Sequence, residues 1–401
     1  MSTPASTMAM DSESTPFTPI EKALYSRLEL TDIEIREVCL VKILPHRAPR
    51  DIIRVSVRNA TPEDIGNYYC LSYECGPQDK DLLKQISEFD ESQGTDDFRD
   101  IGPSLYEFLE VAQSALNGSK GKDIIDFQSE FWIDALSIDQ NDIHKKAREV
   151  AKMGKIYAQA SKTIVWLGHM DKPGHDWEAE YNKEGVGQFF EKFVDGRGYW
   201  RRAWIVQELA LSRQPVVLMG NFALPYDKLF AMVNTNDGRG YNLSYLIRHD
   251  IRKRDSIEIT WALYYLRRHK CEIAHDHIYS IRSLMEKFGA IPVDYESSHA
   301  QVIFEVFTAF PEELCWCSLR VLVDHLPVRQ CPASHGTQCI SPLARTQTTI
   351  RSLSPIKDTN ELCRDESCMS CSATRYSNGP FIEFTLAKKQ ARNSSIEFWT
   401  S

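Results

Sequence analysis

The chain has 401 residues, of which 42% are hydrophobic and 26% charged, close to globular averages and unlike disordered, collagen-like or coiled-coil sequences. Its 47 Lys and Arg stand against 56 Asp and Glu, a formal charge of -9, which argues against gripping phosphate backbones as a main task. No apolar run approaches the ~20 residues that cross a bilayer. Met1 to Ile20 has neither the basic nor the apolar stretch of a signal peptide. The expectation is a cytoplasmic protein without nucleic-acid or membrane partners, its 11 Cys kept as thiols.

In chain order, residues 1–20 are rich in Ser, Thr, Pro and Met and cannot bury enough apolar surface to fold; 1–32 is set aside as irregular. Apolar, β-branched stretches at 33–43 and 52–57 flank Pro45 and Pro49 and predict a hairpin or two edge strands. Residues 68–73 form an apolar run closed by Gly76-Pro77, a buried strand ending in a turn. The polar, acidic 78–100 has no periodicity and reads as a loop. Pro103 suits a first helical position, and Leu105, Phe108, Leu109, Ala112 and Leu116 follow at helical spacing, so 103–117 is a helix.

Residues 131–136 read as a strand, 145–160 as a helix and 163–167 as a strand apolar on both faces, the pattern of a parallel strand covered by helices. Residues 169–198 form a polar insertion with a short helix near 187–194. A helix at 199–212 and a strand at 215–220 come next, then helices at 226–233, 256–270, 276–287 and 297–309. After Pro311 the periodicity fades. The alternation of strand and helix predicts an α/β fold with an open, mostly parallel sheet, flavodoxin-like, then a mainly helical region and a poorly ordered C-terminal tail. The domains expected are 33–225, a helical extension 226–310 and a Cys/Ser-rich tail 311–401.

Three blocks carry a resemblance: Leu71-Ser72-Tyr73-Glu74-Cys75-Gly76, then residues 131–140 from Phe131 to Gln140, then Arg202-Ala203-Trp204-Ile205-Val206-Gln207-Glu208. In this order they resemble the blocks of the fungal heterokaryon incompatibility (HET) domain. Met153 to Ala160 and Val165 to Gly168 look like the same family's helix and strand, and His275 to Tyr279 and Val293 to Tyr295 like segments that follow it. The match is strong over 68–220 and loose to 310. The family usually has Trp at Cys75, Cys at Ser137 and Asn at Asp139. Residues 69–76 and 204–209 are also similar, more distantly, to the first strand and the Trp-Cys-x-x-Glu-Leu helix of TIR domains, some of which cleave NAD.

The resemblance implies fungal nonself recognition and programmed cell death, partnership with a further copy or another incompatibility protein, and NAD as substrate rather than cofactor. It makes Glu208 the catalytic carboxylate and Ser72, Tyr73 and Gly76 part of a pocket. It equally allows a non-catalytic signalling module, with Cys75 and Ser137 marking a lost site. Spacing adds Arg201 and Trp204, three and four residues apart from each other and from Glu208 on one helical face. A carboxylate there can stabilise the oxocarbenium-like charge that develops when nicotinamide leaves ribose. Gly196-Arg197-Gly198 would present N–H groups and positive charge to a pyrophosphate. The competing reading makes Glu208 a structural ion pair and Trp204 core. Asp134 and Asp139 flank the end of the 131–136 strand, where ligands sit in open α/β sheets; the alternatives are a buried hydrogen-bonded role for Asp134 and a helix cap or turn for Asp139.

Other chemistry has less support. Cys363, Cys368 and Cys371 echo a ferredoxin spacing without its fourth Cys. Zinc could recruit Cys331, His335 or Cys339, but the usual two C-x2-C knuckles are not both present, Cys368 and Cys371 making only one, so no metal is expected. His275 and His277 around Asp276 read as a helix start. Residues 252–254 and 267–270 are basic patches best read as solvated helix faces. Dinucleotide, P-loop and nucleophile-elbow motifs are absent, and nothing pairs a particular Cys with a particular His.

Overall fold

In the computed structural model the described residues are 36–46, 52–76, 79–90, 93–117, 124–169, 197–229, 259–266, 269–285, 289, 291–310, 313–314 and 316–326. The expected irregular 1–32, the short helix near 187–194, the basic clusters 252–254 and 267–268, and the Cys-rich 330–401 lie outside them.

The strands are β1 (Val38–Ile43), β2 (Arg54–Ala60), β3 (Tyr68–Tyr73), β4 (Lys84–Asp90), β5 (Thr95–Ile101), β6 (Glu130–Trp132), β7 (Lys162–Trp166), β8 (Pro215–Met219) and β9 (Phe222–Pro225). They form one nine-stranded sheet in the order β5-β4-β2-β1-β6-β3-β7-β8-β9. The helices are α1 (Pro103–Leu116), α2 (Asp134–Ser137), α3 (Ile143–Gln159), α4 (Ile205–Ala210), α5 (Ile259–Leu266), α6 (Asp276–Tyr279), α7 (His299–Ala309) and α8 (Trp316–His325). Residues 226–229 are also helical.

The α/β class holds, but a mostly parallel, flavodoxin-like sheet does not: the sheet is mixed. Parallel pairs join β2 to β4 and run through β6, β3, β7 and β8. The pairs β1–β2, β1–β6, β4–β5 and β8–β9 are antiparallel. Connection length accounts for part of this: a short return such as that between β8 and β9 can only make an antiparallel pair, whereas the long excursion through α3 lets β7 return parallel to β3.

Each face of the sheet carries its own apolar cluster. Under α1, Leu105, Phe108, Leu109 and Ala112 pack on Tyr69, Leu71, Phe131 and Trp166. Phe108 meets Phe131 and Trp166 edge-on at centroid distances of 5.7 and 6.0 Å. Burying such side chains stabilises by about 1.5–3 kcal/mol each. On the other face Tyr68, Cys70, Trp132 and Val165 pack against α3, α4 and the later helices, down to Leu322 and Leu326. Tyr157 meets Trp132 edge-on at 5.6 Å and donates to Leu71 O at 3.1 Å.

Local signals set the helix starts. Pro103 opens α1. Asp142 caps α3, accepting from His144 N and Lys145 N at 3.0 and 2.9 Å, so the helix begins two residues before the expected 145. Gly154 is required by packing, since a Cβ there would strike the Ser283 side chain.

Four expected elements change, among them the helix over 276–287, of which α6 covers only Asp276–Tyr279 before a separate 3-10 turn at Arg282–Leu284. The supposed loop 78–100 contains the β4–β5 hairpin. The strand expected over 131–136 stops at Trp132, because Leu136 N and Ser137 N bond back to Ile133 O at 2.9 and 2.7 Å and wind the chain into α2. The helix expected over 199–212 is broken. A 3-10 turn covers Gly198–Arg201 and α4 starts only at Ile205. Between them Arg202 forms a parallel bridge with Lys270, through Lys270 N to Arg201 O at 2.5 Å and Ala203 N to Lys270 O at 2.9 Å. Past Pro311, α8 continues the helical region, with Val321 and Leu322 buried. No helix among the described residues is long and apolar enough to cross a membrane.

Candidate functional site

A run of small and aromatic residues ends β3, and its pleat sends successive side chains to opposite faces. Ser72 therefore faces α4, while Tyr73 faces α1. On the α4 side the Ser72 hydroxyl donates to Glu208 Oε2, and Ser72 Oγ lies 2.7 Å from the Tyr199 hydroxyl. Arg202 Nη1 stands 3.5 Å from the same Glu208 oxygen. Glu208 is 2% exposed and Arg202 17%. Serine, tyrosine, arginine and glutamate thus meet at the C-terminal end of β3, beside the parallel strands β6 and β7, where open α/β sheets place ligands.

Burial pushes the Glu208 carboxyl above its ordinary range; Arg202 and Ser72 pull it down, and Asp134 adds to the rise. Burial lowers the Arg202 guanidinium, but the charges of Glu208, Cys75 and Asp134 outweigh it and hold the group above its usual value. Burial, with Glu208 behind it, keeps Tyr199 a neutral phenol. Arg202 Nη1 is buried without a hydrogen bond, an N–H left over in a carboxylate site.

On the α1 side burial, then the charges of Asp134 and Cys75, keep the Tyr73 hydroxyl a neutral phenol. Asp134 opens α2 and accepts from Ala135 N at 2.7 Å. Burial and then Asp134 push the Cys75 thiol up to about 11, so it is no thiolate nucleophile at neutral pH. Gly76, at φ 72, makes the left-handed turn that ends this segment. Asp134 also raises Glu208 and Arg202, so the two half-sites share one field around the strand end.

Arg201 and Trp204 stand elsewhere. With the helix broken at Arg202, the three residues do not share one face: Arg201 is exposed on the 3-10 turn. Trp204 acts on Asp276, pulling its carboxyl down against the rise that burial causes, and Asp276 accepts from the Tyr295 hydroxyl at 2.8 Å. The positive partner of Glu208 is Arg202, six residues away. Neither it nor Tyr199 has a periodic relation to Glu208, and only the bridge to Lys270 turns them inward; nothing in the local pattern marks them. Gly198 does not precede a helix as expected. It lies so near the Glu74 carboxylate that a Cβ would collide with it, which seals that edge of the site; Gly196 lies outside the described residues.

The remaining candidates are structural in their contacts. Asp139 accepts from Asn141 N at 3.1 Å and Lys145 Nζ at 3.2 Å. The Ser137 hydroxyl accepts from Ile133 N at 3.2 Å. His275 sits at the start of α6, its Nε2 2.8 Å from Ser297 O. Among the described residues no three His, Cys, Asp or Glu are grouped to hold a metal.

Residues 68–208 match the family model for heterokaryon incompatibility protein (HET). No curated protein and no solved structure matches the chain. The match opens at the first residue of β3 and closes on Glu208, spanning Ser72, Tyr199 and Arg202 on the way, so it is this segment that is similar to a heterokaryon incompatibility (HET) domain.

Proposed function

We propose that this segment is a HET domain that acts in fungal nonself recognition, in the cytoplasm, and triggers programmed cell death by TIR-like cleavage of the bond between nicotinamide and ribose in NAD, with Glu208 as catalytic carboxylate. The observation that supports it is a buried carboxylate at the end of the parallel strands, fixed by the Ser72 hydroxyl and faced by Arg202. The C–N bond breaks with its electron pair leaving on nicotinamide. The positive charge that builds on the ribose is stabilised by Glu208 at low dielectric. Water adds to the anomeric carbon and gives up its proton, leaving ADP-ribose. Ser72 and Tyr199 set the carboxylate's orientation, and Arg202 offers an N–H to the substrate's phosphates or hydroxyls.

A second reading has its own support. Glu208 is 2% exposed and already ion-paired, which suits a structural pair in a non-catalytic signalling module. Incubating concentrated protein with NAD and following nicotinamide separates the two. Glu208→Gln is expected to slow release on the order of 10²–10³-fold. Equal rates from both proteins would make Glu208 structural; no release from clustered wild type would favour the signalling module.

A further inference from the structure

Hydrolysis at the strand end needs a second group beside Glu208. The water that adds to the anomeric carbon has to lose a proton, and a general base serves only if it reaches that water and can hand the proton on to solvent. Glu208 is poorly placed for this: it is 2% exposed, its Oε2 takes the Ser72 hydroxyl, and Arg202 Nη1 faces the same oxygen at 3.5 Å. Cys70 and Cys75 stay thiols, their ionisation pushed up by burial. Tyr73 and Tyr199 stay neutral phenols for the same reason. The neighbouring strand supplies the remaining carboxylate, Asp134.

The sheet brings Asp134 level with Ser72. β3 and β6 run parallel with Cys70 beside Trp132, and Ile133 is still extended, at φ -129 and ψ 113. The register therefore carries on for two residues and sets Asp134 next to Ser72, about 4.8 Å away across the strands. Ser72 is buried, whereas Asp134 is only half-buried and meets water. Its charge reaches the buried pair, adding to the rise of both Glu208 and Arg202. Asp134 is also held still. Its Oδ1 accepts from Ala135 N at 2.7 Å, and Gln140 Nε2 donates to its backbone O at 3.4 Å. A four-residue helix leaves its last carbonyls without partners inside the helix; in α2 they are taken by Arg99, whose Nη2 and Nη1 donate to Ala135 O and Leu136 O at 2.6 and 3.3 Å. A guanidinium reaching over from β5 thus fixes the turn that carries Asp134, and fixed geometry is what proton transfer in a bound complex requires.

We propose that Asp134 is the general base of the hydrolysis. As the bond between nicotinamide and ribose breaks, its electron pair leaves with nicotinamide, the water oxygen bonds to the anomeric carbon, and one water proton passes to the Asp134 carboxylate, which releases it to solvent. The two carboxylates divide the work by environment: the buried, ion-paired Glu208 faces the positive sugar, and the half-buried Asp134 moves the proton. This role rests on NAD cleavage at Glu208 and gives the departing proton an acceptor.

The concentrated full chain is incubated with NAD in H2O and in D2O, without and with sodium azide, and nicotinamide release is followed for wild type, Asp134→Asn, Asp134→Ala, Glu74→Gln and Glu208→Gln. Azide adds to the anomeric carbon with no proton to lose, so it forms the glycosyl azide without a base. Both Asp134 variants are expected to lower kcat about 10²-fold with KM nearly unchanged, to lose the slowing in D2O that wild type shows, and to recover most of the rate in azide with ADP-ribosyl azide as product. Glu208→Gln should stay slow in azide, because its lost charge acts on the sugar and not on the water. Wild-type rates from the Asp134 variants, or slow variants that azide does not restore, would overturn the assignment and leave the role of Glu208 standing. Glu74 is the other carboxylate at this strand end, turned to Gly198; an azide-rescued loss in Glu74→Gln and not in the Asp134 variants would move the base there and equally overturn it. Wild type that releases no nicotinamide removes NAD cleavage itself, and this base with it.

Discussion

The centre and the outer flank of the sheet are held by different forces. β3 is buried at all six positions, Tyr68 to Tyr73, between two layers of helices, and its parallel neighbours are likewise apolar. β5 exposes most of its length and is tied down by polar clips. The difference shows that one sheet can carry two kinds of work. Dry strand ends can hold a carboxylate such as Glu208 in a low-dielectric setting, whereas a wet edge leaves its outer backbone groups to water and its charges to solvent-screened pairs.

If burial holds the centre, Phe108→Ala should be the most damaging change: it empties the space between Phe127, Phe131 and Trp166 and is expected to cost about 3–5 kcal/mol in urea unfolding. A loss below about 1 kcal/mol would mean that α1 is not the cover it looks to be. If clips hold the flank, Arg54→Met should matter less but clearly, about 1–3 kcal/mol, by freeing Asp96, with hydrogen exchange speeding up in β4 and β5 first. On the helical side His277 gives the contrast in pH. Burial, then the nearby His325 and His269, pull its pKa down to about 4, below the ordinary ~6.5. The unfolded chain therefore binds the extra proton first, and stability present above pH ~6.5 drains away as pH falls toward 4. The loss is on the order of 1 kcal/mol once solvent screening is discounted. As pH falls through this window wild type should lose melting temperature relative to His277→Met; parallel curves would refute it. Phe98→Ser should change stability by no more than about 0.5 kcal/mol.

The parts that sequence reasoning found are those where burial writes a pattern. Tyr68–Tyr73, Lys162–Trp166 and Pro215–Met219 are apolar runs because both their faces are covered. Pro103–Leu116 has an apolar stripe with Pro at its start. The β4–β5 hairpin was illegible for the opposite reason: β5, mostly exposed up to Asp100, needs no alternation, and Asp96-Asp97 is a poor strand signal. Ser72 and Glu208 were legible as motif residues, and the structure brings them into contact. Arg202 and Tyr199 were not, because their inward turn depends on Lys270, far along the chain, and no local window contains that contact. The mixed sheet escaped notice because apolar runs show that a strand is buried without showing its direction.

That bridge has a consequence for the order in which the protein is made. Arg202 is synthesised 68 residues before Lys270, a delay of about 3–14 s at a ribosome moving at ~5–20 residues per second. During that interval β3, β7, β8 and α4 can already be out of the exit tunnel, while the backbone that angles Arg202 toward Glu208 still lacks the strand it pairs with. The nascent domain therefore spends seconds with its central sheet assembled and its charged cluster unset. Ribosome-bound chains long enough to have released β8, but with Lys270 not yet clear of the tunnel, would be arrested in that state, folded at the centre and not yet able to hold the Glu208–Arg202 pair.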